Sequence, residues 1–183
     1  MSEVSPDHAG AVSGEAVSNP SPNHSTRRVP VEAICVHWTG GDYGSALSWI
    51  TSVQSQVSYH ALISPSGHVA TVVPCDRSAW AVGVSQQPDD ARFHFLTSGN
   101  SATENIALAG APPVKPTPAA IAALVTLITA RFHARGWGPA ETWRIVSHAS
   151  LAMPRGRKHD PEGNGWLPLG PVRLAVGAAF TGA

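Results

Sequence analysis

The sequence predicts an α/β fold, a central mixed β-sheet flanked by helices, and three observations carry that prediction. Strand-like apolar runs alternate along the chain with segments of helical spacing, the pattern of a sheet covered by helices. Val57–Ile63 and Val69–Val73 flank Ser64-Pro65-Ser66-Gly67-His68, and so read as a hairpin with a glycine-containing turn. The 183 residues show no internal repeat and suit one domain with a real core.

Taken in order, residues 1–19 are rich in Ser, Ala, Gly, Pro and Val without periodicity and are expected to form a flexible tail, leaving residues 20–183 as the domain. Residues 31–38 form the first strand, whose apolar run implies burial on both faces. Thr39-Gly40-Gly41-Asp42 turns the chain into a helix over 44–56, where Ala46, Leu47, Trp49, Ile50 and Val53 have helical spacing. That turn lacks the Gly-Lys-Ser/Thr ending of a P-loop and the glycine spacing of a dinucleotide fold, which disfavours a phosphate site. Beyond the hairpin, Arg77–Thr103 has little regularity, and Asn105–Gly110 gives another strand. Thr117 as cap, Pro118 at the first helical position and Gly136 past the end delimit a helix over 117–134. A strand over 142–147, an irregular loop and a helix over 170–180 complete the chain.

Composition narrows the function. Twelve basic and twelve acidic residues give a formal charge of zero, so nothing points to nucleic acid or to an anionic membrane surface. No apolar run is long enough to span a membrane. Met1–His8 has neither a basic start nor a hydrophobic centre, so no signal peptide is expected and the protein is expected in the cytoplasm where it is made. Cys35 and Cys75 make no disulfide framework and no zinc ribbon, and both are expected to be buried structural thiols, Cys35 on the face opposite His37.

The chemistry gathers around histidines that end strands. His37 closes Val31–Val36, His148 closes Arg144–Ser147, and Asp160-Pro161 follows His148 closely enough for the loop to fold back. Two neutral imidazoles and a carboxylate suit zinc and leave a fourth position open for water. His8, His24, His68, His94, His133 and His159 lie in the tail, turns, loops or a helix end and are expected to play no such part. Lys158, two residues from Asp160, is either a cation aimed at a developing oxyanion or a solvated loop lysine. Tyr59, taken by its residue type and place, reads as a strand aromatic. Trp38 and Trp80 are candidate groove walls for a sugar or peptide, with His60 a further candidate substrate contact; Trp49, Trp137, Trp143 and Trp166 are expected in the core or an interface.

The combination of His37-Trp38-Thr39-Gly40, Tyr59-His60 and Ser147-His148 followed by Arg157-Lys158-His159-Asp160-Pro161 resembles the zinc-dependent N-acetylmuramoyl-L-alanine amidases, which share their fold with the peptidoglycan recognition proteins. The resemblance covers roughly residues 20–180. It implies His37, His148 and Asp160 as zinc ligands, Lys158 and Tyr59 as catalytic groups, and Ser21-Pro22-Asn23 as a segment over the sheet near the substrate groove. Two departures stand out. Ala107 occupies the position where many relatives carry a glutamate, with Glu104 expected on the opposite strand face, and Ala79-Trp80-Ala81-Val82-Gly83 replaces Ala-Trp-His-Ala-Gly.

What the resemblance implies is zinc-dependent cleavage of the bond between N-acetylmuramic acid and L-alanine in peptidoglycan, by a monomer serving as a phage endolysin. The alternatives are a cytosolic amidase recycling anhydro-muropeptides and a peptidoglycan-binding protein without catalysis. Retention of Asp160 argues against the last, since binding-only relatives usually lose the third ligand. An unrelated zinc peptidase is disfavoured because no His-Glu-x-x-His helix occurs.

Overall fold

The computed structural model describes residues 17–83 and 99–181. The tail to residue 16, with His8, and residues 84–98, with His94, lie outside the described residues. In chain order the elements are β1 (His24–Thr26), β2 (Ala33–Trp38), α1 (Tyr43–Ile50), β3 (Ala61–Ile63), β4 (Val69–Thr71), β5 (Arg77–Ala79), α2 (Gly99–Ala102), β6 (Thr103–Leu108), α3 (Pro118–Ala134), β7 (Ile145–Ser147), α4 (His148–Leu151) and α5 (Leu169–Ala178), with short 3-10 turns at Val53–Ser55, Pro139–Arg144 and Gly163–Gly165.

Five strands form the main sheet in the order β4-β3-β6-β2-β7, and β1 pairs with β5 in a separate two-stranded ribbon. The β3–β4 hairpin is antiparallel while β6, β2 and β7 run parallel to β3, so the sheet is mixed, as the sequence predicts. Alternation along the central strands then sorts side chains to two layers. Ile34, Val36, Ile106 and Leu108 face α3 and α5, packing with Leu124, Ile128, Phe132, Val172 and Val176. The other face, partly covered by α1 through Ala46, Leu47 and Ile50, carries Leu62, Ala70, Val72 and Ala107. Ala33 to Val36 are all fully buried, which is the two-sided burial their apolar run implies.

Caps explain where the helices begin. The Thr117 hydroxyl accepts from the Ala120 N–H at 3.1 Å with Pro118 in the first turn, and Asp42 accepts from the Ser45 N–H at 3.0 Å ahead of α1. Each such cap is worth about 1 kcal/mol. At the far end of α3, Gly136 takes φ +65°, a left-handed position that glycine adopts without strain.

Several boundaries differ from expectation. The helix expected over 44–56 ends at Ile50 and resumes as a 3-10 turn, with Gln56 left-handed at φ 53°. The strand expected over 142–147 is a 3-10 turn up to Arg144, because Glu141 accepts the Gly138 N–H at 2.6 Å and Pro139 starts the turn. Within the expected irregular stretch, Arg77–Ala79 is a strand, since its partner His24–Thr26 supplies the ladder. Residues 18 and 19 of the expected tail are held at the sheet edge, where both backbone N–H groups donate to the Thr71 carbonyl at 3.1 Å. Asn23 ties the Ser-Pro-Asn segment to the turn after α1, its amide donating to Ser52 O at 2.8 Å and Val57 O at 3.1 Å. Trp49, expected in the core or an interface, is 55% exposed on α1.

Candidate metal centre

Because β2 and β7 are parallel neighbours, with Val36 paired to Ser147, their C-terminal ends lie side by side. His37 projects from β2, and His148 follows β7 directly as the first residue of α4, whose start is fixed by the Ser147 hydroxyl accepting from the Ser150 N–H at 3.1 Å. The loop after α4 returns to the same place, where the Asp160 carbonyl accepts from the Ala149 N–H at 2.9 Å. The carboxylate is thereby carried in beside the two rings.

The three ligand atoms form a nearly equilateral triangle. His37 Nδ1 lies 3.2 Å from His148 Nδ1, and each lies 3.1 Å from Asp160 Oδ2. All three residues are buried, and among the described residues this is the one group of three such side chains whose ligand atoms converge. Ligands about 2.0–2.1 Å from a tetrahedral zinc stand roughly 3.3 Å apart, so the spacing fits that ion.

The remaining ring nitrogens complete the fit. His37 Nε2 is 3.0 Å from the Asn105 side-chain oxygen, and His148 Nε2 is 3.3 Å from the Val82 carbonyl. Both partners can only accept, so each ring carries its hydrogen on Nε2 and presents the Nδ1 lone pair inward. Metal-binding histidines are oriented in this way. The Val82 carbonyl also accepts from Arg157 at 3.2 Å, which ties the loop bearing Asp160 to the same acceptor.

The electrostatics suit a cation. Burial works against ionisation of Asp160, yet hydrogen bonds from His148 and His37 hold its carboxyl well below the usual range. Desolvation lowers His148. Burial also penalises a charged His37, but Cys35 and Asp160 outweigh it and push the ring up to about 10. Without a metal, a proton on His37 therefore answers the Asp160 charge.

Around the triad, the Tyr59 ring is half-buried with its centroid 5.0 Å from that of His37, and burial, followed by Asp160 and Cys35, raises its phenol, which stays protonated. Lys158 is exposed on the loop, and its charge adds to the lowering of His148. Trp80 is half-buried, its backbone exchanging hydrogen bonds with Ser58 at 3.0 and 3.1 Å. Ala107 pairs in register with His37, so a methyl group stands beside it on the neighbouring strand.

Three expectations are corrected. His60 is no substrate contact: it is 1% exposed, Nδ1 accepts from the Asn105 N–H at 2.9 Å, and Nε2 faces the Arg77 carbonyl at 3.1 Å. Trp38 lies on the other strand face from His37 and meets Trp166 edge-on at 5.5 Å, away from the triad face. Cys35, two residues from His37, shares its face and helps raise its pKa. Both cysteines are buried and free, as expected. Sequence reasoning missed Asn105 and the Val82 carbonyl; a lone amide in an apolar strand two residues before Ala107 was the available signal for the first, and a backbone carbonyl leaves none.

The parallel strands of this mixed sheet deliver to their C-terminal ends a buried His-His-Asp cluster of the kind that could hold a metal ion. The chain belongs to the N-acetylmuramoyl-L-alanine amidase family Amidase_2, whose model matches residues 27–163. No curated protein matches by sequence. Among solved structures the fold is similar to that of a selenomethionine derivative of AmpD, at 24% identity and TM-score 0.61 over 85% of this chain and 91% of that one. It is also similar to the amidase AmiD from E. coli in complex with anhydro-N-acetylmuramic acid-L-Ala-D-γ-Glu-L-Lys, at 23% identity and TM-score 0.61; the alignment covers 85% of this chain and 58% of AmiD. The catalytic domain of XlyA aligns over 94% of this chain and 95% of its own, at 16% identity and TM-score 0.59. Among the described residues, no helix is long and apolar enough to cross a membrane.

Proposed function

We propose that this amidase is zinc-dependent, that His37, His148 and Asp160 hold the metal, and that it cleaves the amide between N-acetylmuramic acid and L-alanine as a phage endolysin. The observation that carries the zinc reading is the triangle of two Nδ1 atoms and one carboxylate oxygen, 3.1–3.2 Å on a side, with both Nε2 hydrogens already committed to acceptors. Zinc bound there would supply a Lewis acid that polarises the scissile carbonyl and acidifies water.

The chain's own residues supply the rest. Tyr59 keeps its proton and stands beside His37, so its hydroxyl serves as a donor that orients the attacking water or the carbonyl. Lys158 offers an ammonium on the loop that carries Asp160, suited to the negative charge that develops on the carbonyl oxygen. With Ala107 in place of an acid, no carboxylate from that strand position receives the water's proton. Trp80, half-buried with its backbone bonded to Ser58 next to Tyr59, is a wall for the sugar or peptide.

A second reading, an amidase acting on soluble anhydro-muropeptides, is favoured by the likeness to AmiD, whose structure holds such a ligand. Digestion followed by mass spectrometry decides between substrates and tests the bond. Intact murein should yield new L-alanine amino termini without new reducing ends, in a reaction stopped by chelator and restored by zinc. New reducing ends alone would overturn the amidase reading, and turnover of soluble muropeptides without lysis of murein would replace the endolysin role with the recycling one.

A further inference from the structure

Asn105 is fully buried in the middle of β6, and all its polar groups have assigned partners. The Thr103 hydroxyl donates to the Gly99 carbonyl at 2.5 Å, so its oxygen is left to accept from the Asn105 amide NH₂ at 3.1 Å. That contact turns the amide oxygen toward His37 Nε2, 3.0 Å away. An amide oxygen cannot donate, so the hydrogen lies on Nε2 and the Nδ1 lone pair faces His148 and Asp160. The Asn105 main chain is gripped by the residue just ahead of β3: its N–H donates to His60 Nδ1 at 2.9 Å and its carbonyl accepts from the His60 N–H at 2.8 Å. His60 thus fixes the backbone, Thr103 fixes the amide, and Asn105 fixes the ring.

We propose that Asn105 is a positioning residue that sets the tautomer and orientation of His37, and so the affinity of the site for a divalent metal, with Thr103 and His60 holding Asn105 in place. The inference rests on the zinc reading above and deepens it. Its counterpart on the other ligand is a main-chain group, the Val82 carbonyl, which no side-chain substitution removes. The side-chain route through Asn105 is the one that mutation can reach.

The test is zinc affinity measured by chelator competition on the full chain, comparing Asn105→Asp with Asn105→Leu, two replacements that keep the Cγ branching of Asn. Asp keeps an acceptor opposite Nε2 and should bind zinc within about threefold of the parent, whereas Leu should weaken binding by about 10- to 100-fold. In the zinc-loaded parent and Asp variant, the buried His37 Nε2–H should give a slowly exchanging imidazole resonance that is absent from the Leu variant. If the Leu variant does not fold, Thr103→Val removes only the hydroxyl that orients the amide and should weaken binding by about 3- to 10-fold. Parental affinity in the folded Leu variant, or in Thr103→Val when Leu fails, overturns the inference and leaves the zinc reading standing. Absence of zinc binding in the parent overturns both.

Discussion

On the helix-covered face of β6, Glu104 meets Arg131 at 2.8 Å and Arg135 at 2.6 Å, while one strand over and on the opposite face His37, His148 and Asp160 turn two ring nitrogens and a carboxylate oxygen onto one point. Both clusters are buried and both hold an ionised acid. They differ in what completes them. Burial favours the neutral form of Glu104, but Arg135, the cap at the end of α3, and Arg131, one turn earlier on it, pull its carboxyl below the ordinary value, and the Cys75 thiol donates to it as well. Donors there answer the acid. In the second cluster three acceptor atoms face one another, and only a proton or a cation can satisfy them. A closed ion pair stabilises a fold, whereas convergent acceptors make a site.

The comparison can be broken first at its open end. Asp160→Ala removes both a ligand and the charge that favours a cation, so zinc should be lost and amidase activity should fall to background, read by metal analysis and product release on the same sample. Retention of one zinc with normal turnover would mean that the ligand set is wrong.

At the closed end, Glu104→Ala leaves two guanidinium groups buried without their acid. Urea unfolding should show a loss of about 3–5 kcal/mol, while zinc affinity of the folded variant stays near that of the parent. An equal loss of affinity would show that the two clusters are not independent.

His60, between the two faces in function, gives a pH signature. Burial holds its imidazole down to about 4, against an ordinary value of 6.5, so between these values the unfolded chain binds the extra proton. Stability should therefore be full above pH 6.5 and fall as the pH drops toward 4, by up to about 3 kcal/mol. A denaturation series across that range, repeated on His60→Asn, should show the slope reduced in the variant.

Smaller still is the effect of the auxiliary groups. Lys158→Ala should keep zinc and lose rate by about 10², the scale of one oxyanion donor, and Tyr59→Phe should also keep zinc while turnover falls. Near-parental rates in both would assign activation of the water to the metal alone.

Much of this was legible in the chain because alternation and strand-ending histidines report directly on a sheet. The burial of Ile34 and Val36 and the Thr117-Pro118 start of α3 follow from local pattern, and the meeting of His37, His148 and Asp160 was legible from strand-ending histidines taken together with the family resemblance. Long-range pairing was not legible. Arg77–Ala79 is a strand only because His24–Thr26 lies beside it, and His60 is buried only because β6 and the Arg77 carbonyl close over it. Trp38 and Cys35 show a different limit: the same parity that places His37 puts Cys35 on its face and Trp38 on the other, a consequence that residue type alone obscures.

The central claim is that one zinc ion sits among His37 Nδ1, His148 Nδ1 and Asp160 Oδ2. Anomalous diffraction at the zinc edge from crystals of the zinc-loaded protein tests it most directly. The account predicts a single peak within about 2.0–2.2 Å of those three atoms, with His37 Nε2 still against Asn105 and His148 Nε2 still against the Val82 carbonyl. A peak on the Nε2 atoms, a peak elsewhere, or no peak at all would contradict it.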